Sequence, residues 1–550
     1  MDIKKLTQYA PRSILSTLAQ DHRNALLSRR EFLSHATAFG VSAPLLYQSL
    51  GIAPSYAQDL VAPRAGSLRI SMAVIDLTDP RLFEWPEQGN ILRGFMDYLV
   101  IAAPDGSLLP SLAKSWSANE DASDYIIELR QDVTWSDGRA LTAEDVAENF
   151  AAWADGTVAG NSMAVRLTCL QDPNTRQLRG DAVEILDDHH LRLRLAFPDI
   201  TLMHSLADYP AAIQPRDHIG RNPLDHGIGT GAYRLEAFEP RQKAVLVRDP
   251  SLDTWRQAFL DKVEFLDFGI DPLNAVHAAR ADEIDMTYES LGDFIEPFIA
   301  LGWQESQTQS SASLVLRPNQ KAEIEGITPY ADAKLRRALA LAVRNDVLLE
   351  LGHGNRGQIA DNHHVAPIQP DYAESPLGSA DPDAARQLMA ETGLQNFIHE
   401  IVSVDGDWRT DTTAALVAQL NDAGIPARHK IVPSDQYWAG WKDFAFSATN
   451  WGSRELGIQT LALAYHSQAA WNETGYANPE FDRLLEKALG QVQATERKST
   501  MLALERMLQK DGVIIQPYWR QLYRHFKPGV LNGEMTPNQV IDPHKLALAG

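Results

Sequence analysis

Between Phe397 and Val432 the chain reads strand, helix, strand: Phe397–Val404, then Thr410–Ala423, then Ala427–Val432. Two strands joined through a helix of that length form a parallel pair with a crossover, which commits this stretch to α/β layering. The rest of the chain supplies elements of both kinds. Leu68–Val74 reads as a strand and Ile91–Tyr98 as a short helix. Tyr125–Leu129 alternates like a strand, Ser136-Asp137-Gly138 is a tight turn, and Thr142 caps a helix with Glu144 and Asp145 in its first turn. Val183–Ile185 and Leu191–Leu195 form a hairpin around Asp187–His190, and Ala232–Phe238 pairs with Ala244–Arg248. Further on, Ser313–Arg317 reads as a strand crossing into a second lobe. Asp332–Glu350 reads as one long helix, because Leu335, Leu339, Val343 and Val347 recur every four residues. Phe481–Ala488 and Thr495–Gln509 are amphipathic helices, and Val513–Trp519 returns as a strand. Without a repeat or a low-complexity linker, two mixed α/β lobes follow.

The chain has 550 residues, which suits two or three domains, and a formal net charge of −22 from 50 Lys+Arg and 72 Asp+Glu. A negative surface repels a phosphate backbone, so nucleic acid is disfavoured as a partner. The single cysteine, Cys169, excludes an intramolecular disulfide and a thiolate cluster. Ser28-Arg29-Arg30-Glu31-Phe32-Leu33, the apolar stretch Ala36–Ile52 and Ser55-Tyr56-Ala57 follow one another in the order of a twin-arginine (Tat) signal peptide. The alternative is a basic amphipathic helix on the folded body. The signal reading places residues 1–57 in a cleaved leader and makes the Tat translocase a partner during export. It locates the mature chain in the periplasm. That cut removes six basic and three acidic residues and leaves a charge of −25.

A family resemblance rests on blocks in order along the mature chain. Leu109-Pro-Ser-Leu-Ala-Lys-Ser-Trp116 is followed by Tyr125-Ile-Ile-Glu-Leu-Arg130, Val133-Thr-Trp-Ser-Asp-Gly138 and Leu141-Thr-Ala-Glu-Asp-Val146. Gly229-Thr-Gly-Ala-Tyr233, Lys334–Val343 and Tyr476–Leu485 complete the series. Together they resemble the peptide/nickel-type (family 5) extracellular solute-binding proteins, the large periplasmic receptors of ABC importers. The resemblance implies an α/β, two-lobed periplasmic binding protein fold (type II, large class) with an extra subdomain inserted in lobe 1. On it, lobe 1 spans 58–308 with the insertion at about 103–214, lobe 2 spans 309–509, and 510–550 returns to lobe 1. Lobes of this kind close around a ligand by a hinge, here expected near Ser313. The protein is then a monomer that hands its solute to permease subunits, with no catalysis, cofactor or metal of its own.

Several motifs are better read as structure. Gly352-His-Gly-Asn-Arg-Gly357 spells a dinucleotide fingerprint but follows a helix, so it is a glycine-rich helix stop. His189-His190 and His363-His364 are adjacent pairs, whose side chains diverge and rarely ligate one metal. Five of the twelve tryptophans, Trp408, Trp438, Trp441, Trp451 and Trp471, fall in the stretch where the resembled family builds its cleft. Tryptophan offers a rigid face to apolar, sugar-like or cationic groups. Peptide-binding members carry an aspartate about three residues after the tryptophan equivalent to Trp451, where this chain has Arg454 followed by Glu455. An Arg454 facing the cleft calls for a carboxylate or phosphate on the ligand, and a Glu455 facing it calls for an amine. Trp85, Asp405, Trp408, Trp438 and Trp451 complete the expected ligand-binding set. The expected ligand is a small polar solute, peptide-like or amino-acid-derived, including opine-type conjugates. Nickel complexes and oligosaccharides are the alternatives within binding, and a secreted hydrolase is the rival class.

Overall fold

The computed structural model describes residues 12–50, 65–250 and 255–549. The expected cleavage site around Ala57 lies outside the described residues. One mixed sheet runs through both lobes. Its strands lie in the order Ala427–Val432, His399–Val404, Phe446–Trp451, Gln304–Pro318, Tyr518–Phe526, Met286–Thr287, Ser67–Ser71, Lys262–Leu266, Lys243–Arg248 and Tyr233–Glu239, with Gly357–Ile359 beside Tyr518–Phe526. The crossover unit anticipated from the sequence is present. His399–Val404 and Ala427–Val432 are parallel, in register from His399 opposite Ala427, and are joined through helix Trp408–Asp422. Asp407 caps that helix by accepting from the Arg409 amide at 2.9 Å, and Leu416 and Leu420 turn into the lobe 2 core. Burying each such side chain stabilises the lobe by about 1.5–3 kcal/mol before ordering entropy is subtracted. Lobe 1 has its own parallel pair, Ser67–Ser71 with Lys262–Leu266. Between these two strands in sequence lies a separate four-stranded sheet, Ala113–Ala118, Asp124–Leu129, His190–Arg194 and Val183–Asp187 in spatial order.

Strand Gln304–Pro318 belongs to both lobes. Gln304–Gln309 pairs with Tyr518–Phe526, Ser313–Pro318 pairs with Phe446–Trp451, and the register breaks between Gln309 and Ser313. The break is held by side chains: the Ser310 hydroxyl donates to the Arg520 carbonyl at 2.6 Å, and Ser311 and Ser453 hydroxyls lie 2.7 Å apart.

Three sequence expectations need correction. The first helix of lobe 1 is Pro86–Leu92, not Ile91–Tyr98. Pro86 presets its opening turn, and the Gln88 amide oxygen accepts from the Trp85 and Glu84 amides at 3.2 Å each. The long helix is two, Ala333–Leu341 and Asn345–His353. Arg344 is extended between them, its amide donating to Gln419, while the Asn345 side chain donates to the Ala360 carbonyl at 2.8 Å. A four-residue apolar repeat looks the same for one helix and for two joined by a short break. The last long strand is Tyr518–Phe526. Pro517 has no amide to donate, so Val513–Pro517 makes only an isolated bridge, Ile515 to Leu316. The glycine-rich helix stop is as read: Gly354 adopts φ 59° at the end of Asn345–His353.

The amino-terminal segment packs on the body. Helix Arg29–Ala38 is closed by a reciprocal Ser28–Glu31 capping box and buries Phe32, Leu33 and Ala36. Arg30 donates to Glu455 of lobe 2 and to the Pro104 carbonyl of lobe 1, each at 2.6 Å. His35 lies 2.8 Å from Arg497, which pairs with Asp371 at 2.7 Å, all three buried. No helix among the described residues is long and apolar enough to cross a membrane.

Candidate functional site

A cavity of about 260 Å³ lies between the lobes. Its walls are the segments that leave the carboxyl ends of strands: Ser71–Ala73, Asp267–Pro272, Asp407–Arg409 and Trp451–Gly452. That is where α/β layers expose backbone and side chains to a ligand. A larger recess of about 970 Å³ lies on lobe 1 against residues 40–44, away from this interlobe position.

The lobes touch across the mouth of the cleft. Trp85, the residue before helix Pro86–Leu92, meets Trp438 edge-on at 4.4 Å and Trp441 at 6.4 Å. Glu84 accepts from the Trp441 indole at 3.1 Å and from Lys442 at 3.2 Å. Deeper in, Trp408 lies under the Arg520 guanidinium at 4.2 Å. The Trp451 indole donates to Glu473 at 2.7 Å, and Glu473 pairs with the buried Arg317 at 2.7 Å, so that ring is locked in place. Trp471 stands 6.0 Å from Trp451 at a steep angle, and its indole nitrogen has no partner.

The expected residues are distributed unevenly around this cavity. Trp85, Trp408, Trp451 and Arg454 line it. Trp438 stands outside its wall, as the partner of Trp85. Asp405 is exposed and does not reach the cavity; Asp407, two residues on, does. Glu455 faces a smaller neighbouring pocket, where Arg30 and Asn538 hold it. Arg454 is committed within the protein. Its Nε lies 3.0 Å from Asp208 of lobe 1, and Nη2 donates to the Tyr209 hydroxyl at 3.2 Å. These partners hold its pKa above the usual guanidinium value despite burial. The anion anchor anticipated at this position is therefore engaged within the protein, in a cluster where Arg454 and Arg166 share Asp208 and tie the lobes together.

Three cavity residues that sequence reasoning missed come from lobe 1: Glu87, Tyr288 and Glu289. Two more are arginines. Arg409 pairs with Asp407 and donates to the Asn450 side chain at 2.8 Å, and Arg520 pairs with Glu289. Only Glu87 carried a local hint, two residues after Trp85 in the first turn of a helix. Its Oε2 is buried with no hydrogen-bond partner among the described residues, as is the Tyr288 hydroxyl. Burial raises the Glu87 carboxyl to about 7; Glu289 and Asp267 push the same way, against Arg409. Burial also raises the Tyr288 phenol, helped by the charges of Glu87 and Glu289.

Two α/β lobes on shared strands, with an aromatic cavity between them, define a solute-binding receptor of the periplasmic type. Residues 107–473 match the bacterial extracellular solute-binding proteins, family 5 (middle region), and the chain belongs to this family. It is 22% identical to the periplasmic oligopeptide-binding protein OppA of Salmonella typhimurium over 86% of this chain and 90% of that one. In fold it is similar to the Helicobacter pylori periplasmic binding protein DppA in complex with the peptide STSA. That likeness has a TM-score of 0.77 at 18% identity and covers 89% of this chain and 99% of that one. The binding protein AgaA from A. tumefaciens R10, in complex with agropinic acid, gives the same TM-score at 17% identity over 88% and 99% of the two chains. The function of the chain is accordingly solute binding for an ABC transporter.

Proposed function

We propose that the chain captures one small polar solute, peptide-like or amino-acid-derived, in the periplasm and delivers it to the permease of an ABC importer. The observation that carries this reading is the cavity itself: about 260 Å³, set between the two lobes and walled by Trp85, Trp408, Trp441, Trp451 and Trp471. Ligand cavities commonly span about 300–1,000 Å³, so this one suits a ligand of modest size held whole. Peptide and agropinic acid in the related structures are in keeping with that class. Affinity comes from enclosure and from satisfying polar groups, with Glu84 latched to Trp441 and Lys442 in the closed form. Native mass spectrometry of protein purified from a periplasmic extract should show a small bound molecule that leaves on denaturation. A protein that instead turns over pooled peptides rejects the receptor reading.

Export through the Tat pathway is part of the same proposal and rests on the order Ser28–Leu33, apolar stretch, Ser55–Ala57. Arg29→Lys with Arg30→Lys should leave precursor in the cytoplasm, and normal export of that variant refutes it.

A further inference from the structure

We propose that Glu87 of lobe 1 is the cleft's anchor for a cationic ligand group, so that the solute presents a protonated amine to lobe 1 rather than an acid to Arg454. This rests on the receptor reading above and names the charge of its ligand.

The argument is one of charge left over in a closed space. Three guanidiniums reach the cavity: Arg409 is matched by Asp407 and Arg520 by Glu289, while Arg454 lies against Asp208, which Arg166 also holds at 2.8 Å. The other acids in the wall are also engaged. Glu84 holds Trp441 and Lys442. Asp267 accepts from the Val74 and Gly269 amides, and Asp271 caps the helix that starts at Pro272. Glu87 is the carboxylate that remains: the half-buried side chain accepts from its own backbone amide, and its Oε2 is sealed from solvent with no hydrogen-bond partner among the described residues. A buried carboxylate without a partner is destabilising unless it is protonated or meets a cation. The guanidinium of the wall that acts on Glu87, Arg409, is already held by Asp407.

A protonated amine does, through a charge-assisted hydrogen bond. The Tyr288 hydroxyl, also unpartnered and close enough to feel the charge of Glu87, offers the same amine a second oxygen. The indole faces of the surrounding tryptophans favour a cation for the same electrostatic reason. An acidic ligand group at this spot meets Glu87 and Glu289 as like charges. The groups that set Glu87's proton affinity are Glu289, Asp267 and Arg409, with Tyr288 beside it. Because its carboxyl titrates near 7, a cation binds best once it is ionised. Affinity for an amine that stays protonated should therefore rise as pH goes from 5.5 to 8.

The test uses a thermal-shift and calorimetric panel of free-amine dipeptides, amino-acid amides and polyamines, each beside its N-acetylated counterpart. The full chain should bind free-amine probes and ignore their acetylated partners. Glu87→Gln should weaken the best probe at least tenfold and remove the pH dependence, while Glu87→Asp restores part of the affinity. Unperturbed melting of both variants shows that the loss is one of binding. Equal binding of acetylated probes, or unchanged affinity in Glu87→Gln, overturns the Glu87 assignment and leaves the receptor reading standing. If no amine probe binds, the assignment is overturned as well. The receptor reading then falls only if native mass spectrometry of periplasmic material also finds no bound solute.

Discussion

Two interlobe spaces in this molecule are built differently. One is occupied by the chain's own residues 28–50, the other is the aromatic cavity. In the first, the polar groups that helix Arg29–Ala38 brings in find partners on both lobes: Arg30 with Glu455 and Pro104, Ser34 with His204 at 2.8 Å, and Thr37 with the Leu108 amide at 2.9 Å. In the second, Glu87, Tyr288 and Trp471 keep polar atoms that have no partner among the described residues. The difference is the mark of a binding site. Where the occupant is part of the chain, folding brings partners from both lobes to most of its polar groups, Arg30 Nε excepted; where it comes from outside, the matching groups are left waiting.

Predictions that break or sharpen this contrast run from large to small. Cleavage before Gln58, which the Tat proposal expects, would empty the first space, so if residues 28–50 contribute to the fold, a chain starting at Gln58 should melt several degrees below the uncleaved chain. The reason is that the apolar surface of the body against which Phe32, Leu33, Phe39, Leu46 and Tyr47 are buried becomes exposed to water. Equal melting temperatures by calorimetry remove the contrast. Next, Arg497→Ala leaves the Asp371 carboxylate buried and unpaired, and chemical denaturation should register a loss of about 3–5 kcal/mol. Arg497 and His35 hold the Asp371 carboxyl below the usual carboxylate range against burial. Its stabilisation is therefore present at neutral pH and lost as pH falls below about 4, a slope the variant should lack.

Arg454→Ala strips Asp208 of a partner and undoes a lobe-to-lobe tie. Affinity for the co-purifying solute should fall about tenfold, and the solute should keep its identity by mass spectrometry. The smallest effect comes from the floor beneath the filled space. Glu505 is fully buried near Asp371, and desolvation raises its carboxyl to about 9. A raised carboxyl keeps its proton in the native state, so the chain loses stability as pH rises from about 4.5 to 9. Glu505→Gln should remove that slope and gain on the order of 2 kcal/mol at pH 8, read as a higher melting temperature than the parent's.

Much of the frame was legible along the chain. The crossover unit between His399 and Val432 and the Thr142-capped helix follow from local spacing and capping chemistry. So do the hairpin Val183–Arg194 and the glycine stop at Gly354. Local reasoning failed where a distant group decided the outcome. Gln419 and Ala360 interrupt the helix at Arg344. The site was half legible. Trp85, Trp408, Trp451 and Arg454 reach the cavity, but a residue's placement in a cleft does not reveal its partner, and Arg454 turns out to be matched by Asp208. Glu87, Glu289 and Arg520 are separated by hundreds of positions or sit in unremarkable strings.

The sequence by itself determined the α/β layering, the acidic character, the family and the concentration of tryptophan after residue 400. These depend on neighbours within a few residues, or on composition, and survive without knowledge of the fold. Only the tertiary structure decided which charges cancel. Asp208 meets both Arg454 and Arg166, Glu289 pairs with Arg520, packing places the Arg29–Ala38 helix between His204 and Arg497, and Glu87 is left over. Electrostatic balance in a closed cavity is a sum over groups brought together from the whole chain, and no stretch of sequence contains that sum.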